Sequence, residues 1–254
     1  MRIGVIGCGA VGRATARAYS EFVDEVRAWD AVAERSTHTH GEVCACQLVY
    51  VCVPEGAVEG TFERLPRHGH YVLKATVPVG TTRGLRALGF DVVHQPEFLT
   101  ARSADFDSVL PAVGVFGFPS GMTDAARYAV DAFAARHPGV PVMHLDSDES
   151  EAVKLMLNAF FAVKVAFWNE MRTWADRRNL RWDKVLGAVL MDGRVSPFHT
   201  RVPGPDGKRG FGGPCLPKDL AGVVRQLLEA GLAPLVCAAA LERNQGDRKR
   251  ADRG

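Results

Sequence analysis

Residues 2–19 read Arg-Ile-Gly-Val-Ile-Gly-Cys-Gly-Ala-Val-Gly-Arg-Ala-Thr-Ala-Arg-Ala-Tyr. The first five have the composition of a short apolar strand, and the residues after Gly12 favour a helix. Between them stands the pattern G-x-G-x-x-G, in the strand-to-helix context of a dinucleotide-binding loop. There the first glycine forms the turn, the second lets a pyrophosphate approach the backbone, and the third allows close helix–strand packing. We therefore expect a cofactor to contact Gly7, Cys8, Gly9, Ala10, Val11 and Gly12.

An acidic residue ends the next predicted strand. Residues 25–29 form that strand, and Asp30 follows it, eighteen positions after Gly12. A carboxylate there accepts hydrogen bonds from the ribose hydroxyls of a dinucleotide and repels a 2′-phosphate. This favours NAD over NADP, although Arg27 and Arg35 stand close by in the sequence and leave NADP open.

Further apolar runs predict a sheet with several strands. The run 48–53 is unbroken, as expected for a central parallel strand that is covered on both faces. Other strands are predicted at 71–75, 91–94, 113–118 and 140–145. The predicted fold class is α/β, with an N-terminal Rossmann-like doubly wound parallel sheet followed by a helical domain built on a long central helix. We place the NAD-binding domain at 1–146 and a helical substrate and dimerisation domain at 147–254.

Polar or Pro/Gly-rich loops follow several of these strands, at the edge where open α/β sheets bind ligands. Val53 and Pro54 end the central strand, and we expect both at the cofactor. The next loop contains Thr76, and the one after it reads Gln-Pro-Glu-Phe-Leu at 95–99.

A long helix is predicted from about residue 148 to 178, a segment without Gly or Pro. Acidic Glu149 and Glu151 near its start suit the positive end of the helix dipole. Apolar residues occur nearly all round it, so we expect every face to be buried. In so small a chain this indicates a homodimer, in which a partner subunit covers one side of the helix.

Two polar residues stand within this apolar helix. Lys154 and Asn158 are four positions apart and therefore lie on one face. A buried lysine is costly unless it is paired or functional, but a lysine can also extend its ammonium to the surface. The sequence leaves both interpretations of Lys154 open.

The stretch 210–220 reads Gly-Phe-Gly-Gly-Pro-Cys-Leu-Pro-Lys-Asp-Leu and precedes another helical run. Cys215 stands beside Lys218 near the start of a helix, where positive charge and the helix dipole favour a thiolate. The alternative is a tight loop around an inert, buried cysteine.

The last predicted helix, 219–241, is broken near Gly231 and Pro234, and we expect the polar segment from Arg243 to be frayed and solvated.

Composition argues against several classes of protein. The net charge of +2 over 254 residues favours neither nucleic acid nor a strongly anionic partner. No apolar run reaches the ~20 residues that span a bilayer, and the N-terminus lacks a signal-peptide pattern. Six cysteines without such a signal predict reduced thiols in the cytoplasm. Cys44 and Cys46 have no second pair at zinc-site spacing, so we expect packing roles for them and no metal.

Five segments together resemble the UDP-glucose/GDP-mannose dehydrogenase family, in order over nearly the whole chain. They are GCGAVG at 7–12, KATVPVGTT at 74–82, QPEFL at 95–99, EAVKLMLNAF at 151–160 and GFGGPCLPKD at 210–219. The resemblance implies an NAD-dependent, four-electron oxidation of a CH2OH group to a carboxylate on a nucleotide sugar such as UDP-glucose.

The resemblance also implies roles for individual residues. Cys215 would be the nucleophile that holds the aldehyde as a thiohemiacetal and then a thioester. Lys154 and Asn158 would stabilise the oxyanion, and Asp219 with Thr76 would position a water.

Glu97 would act in acid–base chemistry, and Lys218 and the Thr76 loop would lie against NAD. The substrate contacts that the resemblance implies are Glu97, Phe98, Leu99, Lys154, Asn158, Phe211 and Gly212.

The chain also departs from the family pattern. Family members continue into a second α/β domain that binds the nucleotide, whereas this sequence ends soon after Leu241, so we expect a short form without that domain. Ala101 stands where the family often has an acidic residue, and Leu216 replaces an aromatic residue. These departures bear on the substrate, for which a compact nucleotide sugar, a bare nucleotide or nucleoside, or another primary alcohol stays open.

Two other functions stay open from the sequence. A two-electron hydroxyacid-type dehydrogenase shares the Rossmann and long-helix plan and needs no thiol. A non-catalytic relative would bind NAD or a partner without turnover.

Overall fold

Strands alternate with helices in the first of two units into which the chain divides. The computed structural model describes residues 1–98, 111–119 and 121–251. Unit 1 comprises Met1–Lys154 and unit 2 comprises Leu155–Gly254. The predicted domain boundary after residue 146 falls just before the first residue of the long helix, Ser147, whereas the two units divide inside that helix.

The strands of unit 1 lie where the apolar runs predict them, with ends that differ by at most two residues. They are β1 (Arg2–Ile6), β2 (Glu25–Trp29), β3 (Leu48–Val51), β4 (His70–Leu73), β5 (Asp91–His94), β6 (Gly114–Gly117) and β7 (Val142–Leu145). The helices are α1 (Ala10–Tyr19), α2 (His40–Cys44), α3 (Val58–Phe62), α4 (Thr81–Ala87) and α5 (Asp124–Arg136), with short 3-10 helices at Ala33–Arg35 and Glu55–Ala57.

These strands form one sheet in the order β2-β1-β3-β4-β5-β6-β7. Neighbours pair in parallel except β5 and β6, which pair antiparallel through His94 and Gly117. The predicted α/β fold is confirmed, but β6 and β7 run opposite to the first five strands. The hydrophobic pattern did not indicate this reversal, because an apolar run does not encode the direction of its strand. The chain leaves β1 towards β2 on one side and β3 on the other, which creates the crevice where such sheets bind ligands.

Alternate residues of the strands face two apolar layers. On one face Val5 and Tyr50 pack with Phe133 of α5. On the other face Val49 packs with Phe62 of α3 in a second cluster. Both faces of the central strands are therefore covered, as the unbroken apolar run in β3 predicts.

Unit 2 is helical. Helix α6 (Ser147–Arg177) begins in unit 1 and continues through unit 2, which also contains α7 (Trp182–Leu190), α8 (Leu216–Glu229) and α9 (Leu235–Ala251). Ala162 of α6 packs with Leu220 and Ala240 in one cluster, and Trp168 packs with Trp182 in another. In the described part of the chain, no helix combines the length and the hydropathy that a membrane crossing requires.

Burial along α6 differs from the expectation that all its faces are covered. One face, which contains Ala159 and Ala162, is buried in unit 2. Four large apolar residues on an adjacent face are more than half exposed: Met156, Phe160, Phe167 and Trp174. We call these four residues the exposed α6 face.

The polar segment after Arg243 is also not a frayed end, because α9 extends to Ala251. Arg243 pairs with the buried Asp247 at 2.9 Å and donates to the Asn169 carbonyl at 3.1 Å and to Thr173 Oγ1 at 2.9 Å. The charged side chains are ordered because they form ion pairs with each other and hydrogen bonds to polar groups of α6. The number of charges in the segment does not reveal these partners.

Candidate active site

The glycines of the loop 7–12 leave an open space at the start of α1. A Cβ atom on Gly12 would overlap the Gly7 carbonyl oxygen, so the close packing there requires glycine. A Cβ on Gly9, in contrast, would have no atom within 4 Å. Gly9 is the N-cap of α1, so this space lies where unpaired helix N–H groups attract an anion. The loop therefore fits a pyrophosphate.

Asp30 lies against the same loop. Its carboxylate accepts hydrogen bonds from the N–H of Cys8 at 2.6 Å and of Val32 at 2.8 Å. The bond from Val32, followed by that from Cys8 and the charge of Arg35, holds the pKa of Asp30 below its usual value. Asp30 is thus ionised at neutral pH and can accept ribose hydroxyls. Arg27, one of the two arginines that leave NADP open, is paired with Glu25 at 2.7 Å.

The segment after β3 borders the loop as well. A Cβ on Gly7 would lie 3.0 Å from Val53 Cγ1, and the N–H of Cys52 donates to the Ile6 carbonyl at 2.7 Å. Pro54 follows and is exposed, and Thr76 is half-buried in the loop after β4. The residues of unit 1 therefore fit a dinucleotide along the carboxyl ends of β1 to β4.

Lys154 is paired inside unit 1 and does not extend to the surface. Its Nζ lies 3.2 Å from Glu97 Oε1, and its side chain is 9 % exposed. The ammonium also lies 5.8 Å from the centre of the Phe98 ring. The costly lysine that the sequence predicts on α6 thus has a carboxylate partner. Leu99, the other predicted contact of this segment, lies outside the described residues.

Lys74 is a charged residue of this region that the sequence analysis did not single out. It follows β4, and its N–H donates to the Val51 carbonyl at 3.0 Å. Burial lowers the pKa of Lys74, Cys52 and Glu97 raise it, and the charge of Lys154 lowers it further. The signal in the sequence was a lysine directly after an apolar strand, next to Ala75 and Thr76.

Glu151 caps a helix other than its own. Its buried carboxylate accepts from the N–H of Gly80 at 2.6 Å, and from the N–H and hydroxyl of Thr82 at 2.7 and 2.6 Å. These donors stand at the start of α4, where backbone N–H groups lack intrahelical partners. Burial raises the pKa of Glu151, although the bonds from Thr82 and Gly80 oppose the shift. It is Glu149 that accepts the Asp146 N–H, at 2.8 Å, at the start of α6.

His94 connects two segments of the candidate site in unit 1. The imidazole is fully buried, bonded through Nδ1 to Ser150 Oγ and through Nε2 to the Ala75 carbonyl at 3.2 Å. Burial lowers the pKa of His94 to about 4, so the ring is neutral at pH 7. Nε2 therefore carries the proton that Ala75 accepts. This ties the backbone just before Thr76 to the first turns of α6.

In unit 2, Cys215 and Asp219 occupy the first turn of α8. Cys215 is the exposed N-cap residue, and its carbonyl accepts the Asp219 N–H at 2.9 Å. Asp219 is 2 % exposed, and its Oδ2 accepts from Asn158 Nδ2 at 2.6 Å. Lys218 Nζ lies 2.6 Å from Oδ1, yet Oδ1 has no donor in hydrogen-bond geometry among the described residues. A buried carboxylate, bonded to Asn158 and paired with Lys218, therefore stands one turn from an exposed thiol.

The predicted site residues thus fall into two sets. Lys154 and Glu97 are paired in unit 1, which also contains Thr76. Unit 2 contains Cys215 and the hydrogen-bonded pair formed by Asn158 and Asp219. Asn158, predicted as an oxyanion donor, gives one amide N–H to Asp219. Lys218, predicted at the cofactor, pairs with the same carboxylate.

The loop before Cys215 is held by side chains that the sequence analysis missed. The Phe211 ring is buried in the core of unit 2, and both its peptide groups bond to Asn244. A Cβ on Gly212 would overlap the guanidinium of Arg248. Asn169 of α6 bonds to the N–H of Gly210 at 2.9 Å. The signal in the sequence for these contacts was an asparagine within each of two helical segments.

Comparison with known proteins identifies relatives of this chain. A sequence model described as the UDP-glucose/GDP-mannose dehydrogenase family, central domain, matches residues 148–246. The chain is similar to UDP-glucose 6-dehydrogenase of Campylobacter jejuni, at 32% identity over 152 residues, which is 58% of this chain and 37% of that protein. It is similar to UDP-glucose 6-dehydrogenase TuaD of Bacillus subtilis, at 30% identity over 210 residues, 79% of this chain and 43% of that protein.

A solved structure extends the similarity over the described fold. The UDP-glucose dehydrogenase from the hyperthermophilic archaeon Pyrobaculum islandicum matches with a TM-score of 0.83 at 26% identity, covering 96% of this chain and 68% of that one. The matched part of the chain spans less than half of the two curated relatives, at 37% and 43% of their lengths.

Proposed function

Because the chain belongs to the UDP-glucose/GDP-mannose dehydrogenase family, we propose that it oxidises a primary alcohol to a carboxylate, with NAD, on a nucleotide sugar such as UDP-glucose. One observation carries the proposal: the exposed Cys215 thiol stands one helical turn from the buried Asp219 carboxylate. A two-electron oxidation needs no nucleophilic thiol. Capture of an aldehyde and hydrolysis of the product need a thiol and a group that positions water.

The overall reaction is RCH2OH + 2 NAD⁺ + H2O → RCOO⁻ + 2 NADH + 3 H⁺. NAD, when bound, supplies the acceptor for one hydride in each of the two oxidations. Glu97 takes the alcohol proton while the carbon loses its first hydride, which gives an aldehyde. Glu97 Oε1 lies 3.2 Å from Lys154 Nζ, so the base stands beside one of the residues that would stabilise the oxyanion, which supports a place for both in the same reaction.

The second oxidation takes place on the protein. Cys215 adds to the aldehyde carbon to form a thiohemiacetal, whose oxyanion accepts hydrogen bonds from Lys154 and Asn158. Loss of the second hydride leaves a thioester on Cys215. A water that Asp219 and Thr76 position adds to the thioester, the C–S bond breaks, and the carboxylate leaves as the thiol re-forms.

The residues that would hold NAD are those of the loop 7–12, with Asp30, Val53, Pro54 and the Thr76 loop. The open space at Gly9 and the ionised Asp30 support this assignment. We also propose a reducing, cytoplasmic location, since all six cysteines are free in the described residues.

We propose further that the protein is a homodimer that forms through α6. The exposed α6 face supports this, because an apolar stripe of large side chains along one helix is typical of an interaction surface.

The experiment that tests the activity is a screen of NAD with UDP-glucose, GDP-mannose and simpler nucleotides, with NADH and product counted together. We expect two NADH per carboxylate from the wild type and none from Cys215→Ala. Cys44→Ser, which changes a thiol at the end of α2, serves as the matched control and should keep full activity.

Other outcomes select the alternatives. One NADH per product, with Cys215→Ala still active, indicates a two-electron dehydrogenase. Binding of NAD without turnover of any substrate in the screen indicates a binding-only relative.

A further inference from the structure

The loop before Cys215 depends on side chains for its backbone hydrogen bonds. Residues 210–213 belong to neither a helix nor a strand, so their peptide groups have no regular partners. Asn244 Oδ1 accepts from the N–H of Phe211 at 2.6 Å, and its Nδ2 donates to the Phe211 carbonyl at 3.0 Å. Asn169 Oδ1 accepts from the N–H of Gly210 at 2.9 Å. Two buried carboxamides, one from α6 and one from α9, therefore hold this loop.

The fit between Asn244 and the loop is tight. Asn244 is 8 % exposed, and a Cβ on Gly210, whose φ is +75°, would overlap its Oδ1. Arg248, one turn further along α9, donates to the Phe211 carbonyl at 3.1 Å and pairs with Asp206 at 2.6 Å. The Phe211 carbonyl thus has two donors, whereas its N–H depends on Asn244.

Three residues, Gly212, Gly213 and Pro214, separate this anchor from Cys215. Gly213 has a φ of +75° and open space around it, so its own surroundings do not restrain it. On the other side, the Cys215 carbonyl is fixed by the Asp219 N–H at 2.9 Å. The position of the thiol therefore depends on α8 after it and on the anchored Phe211 before it.

We propose that Asn244 is a positioning residue for Cys215: by holding both peptide groups of Phe211, it sets where the thiol stands at the N-terminus of α8. The proposal rests on the role of Cys215 as the nucleophile in the proposed function. It adds a residue of α9, 29 positions after Cys215 in the sequence, that acts on the thiol through its hydrogen bonds to Phe211.

The test measures the rate at which iodoacetamide alkylates each cysteine of the full chain, resolved by peptide mass spectrometry, in the wild type, Asn244→Ala and Asn169→Ala. Cys237 lies on α9 itself and reports whether that helix stays intact. We expect the Cys215 rate to change about fivefold or more in both variants, because thiol reactivity follows its local surroundings. The Cys237 rate should stay within about twofold, and where NADH is formed kcat should fall while the KM for NAD stays constant.

Glu242→Gly is the control, since it weakens α9 at an exposed position without removing a loop contact. All proteins are measured below their unfolding temperatures. The proposal is overturned if Asn244→Ala alkylates at Cys215 like the wild type, or if Cys215 and Cys237 change together as they do in Glu242→Gly. Absence of NADH in every protein would refute the proposed activity, but the alkylation rates would still decide the role of Asn244.

Discussion

Asp219 is the residue whose surroundings bear most directly on the last step of the proposed reaction. One carboxylate oxygen is bonded to Asn158 at 2.6 Å, and the other lies 2.6 Å from Lys218 Nζ without a donor in hydrogen-bond geometry among the described residues. A carboxylate oxygen has more than one lone pair, so beside the ammonium it can still accept a hydrogen bond from water. Asp219 is thus suited to hold a water one turn from Cys215.

Asp219→Asn should therefore form the thioester but hydrolyse it slowly. We expect kcat to fall about 100-fold or more, the usual size of a general-base contribution. Rapid mixing should show an initial release of NADH, and intact mass spectrometry should show an acyl adduct on Cys215. Glu229→Gln, an exposed change on the same helix, is the control. Unchanged kcat in Asp219→Asn would contradict the assignment.

Gly9 allows cofactor binding to be separated from folding. Its φ of −68° and ψ of −164° suit any residue, and its Cβ position is open. Gly9→Ala should change the free energy of unfolding by less than about 1 kcal/mol, yet its methyl group occupies the space for a pyrophosphate. We expect NAD affinity to fall at least about tenfold, by calorimetric titration.

The companion variant Gly12→Ala should behave differently. Its Cβ would overlap the Gly7 carbonyl oxygen, so it should lower the thermal stability itself. Unaltered NAD binding by Gly9→Ala would show that the open space is not the phosphate site.

His94 gives the protein a defined sensitivity to acid. The pKa of His94 is about 4 in the folded chain, because of burial, against 6.5 when exposed. Between these values the unfolded chain binds a proton that the folded chain does not, so stability is complete above pH 6.5 and falls as the pH drops towards 4. The full loss is about 3 kcal/mol. The raised pKa of Glu151 has the opposite effect on stability, because protonation of the carboxylate removes the cost of burying its charge.

Urea unfolding of the wild type and His94→Gln between pH 4 and 7 measures this difference. Glu151 is common to both proteins, so the difference between their pH slopes isolates His94. Equal slopes would contradict the lowered pKa, because they would mean that the imidazole binds a proton equally well in the folded and the unfolded chain.

At the scale of elements, α4 is a short helix whose start depends on α6. Glu151 accepts three hydrogen bonds from Gly80 and Thr82. Glu151→Ala leaves these donors without an acceptor and should lower the free energy of unfolding by about 2–3 kcal/mol. Glu149→Ala, which removes an exposed acceptor at the start of α6, should cost less than about 1 kcal/mol. Equal losses in urea unfolding would contradict the capping role.

The same residues show what sequence can and cannot predict. The strands and the loop 7–12 are encoded by local patterns, so they could be predicted within two residues. The bond from Gly80 to Glu151 joins residues 71 positions apart, and that from Phe211 to Asn244 joins residues 33 apart. Nothing in a local pattern specifies such partners. Pairing of Lys154 could be anticipated from the cost of burying it, but its partner Glu97 could not be derived from spacing.

At the scale of the whole molecule, the candidate residues are divided between the units. Unit 1 contains the dinucleotide loop with Asp30, and unit 2 contains Cys215 and Asp219. The chain joins the two through α6, which carries Lys154 in unit 1 and Asn158 in unit 2. A substitution that disrupts α6 should therefore affect both sets of residues. The exposed α6 face is the surface on which to test whether two chains associate.

The exposed α6 face predicts that two chains associate. Met156, Phe160, Phe167 and Trp174 recur at intervals of four and seven residues, so they line one side of the helix. Phe160 is 60 % exposed and lies between two other members of the stripe. A charge at this position would be buried in an interface but solvated in a monomer, so Phe160→Glu should dissociate a dimer without unfolding the chain.

We expect sedimentation to show a wild-type dimer at micromolar concentration, and a dimer affinity that is at least about tenfold weaker in Phe160→Glu. Met122→Glu, at an exposed methionine of unit 1, should leave the dimer intact. A wild-type monomer at every concentration, or a Phe160→Glu variant that still dimerises, would mean that α6 is not the interface.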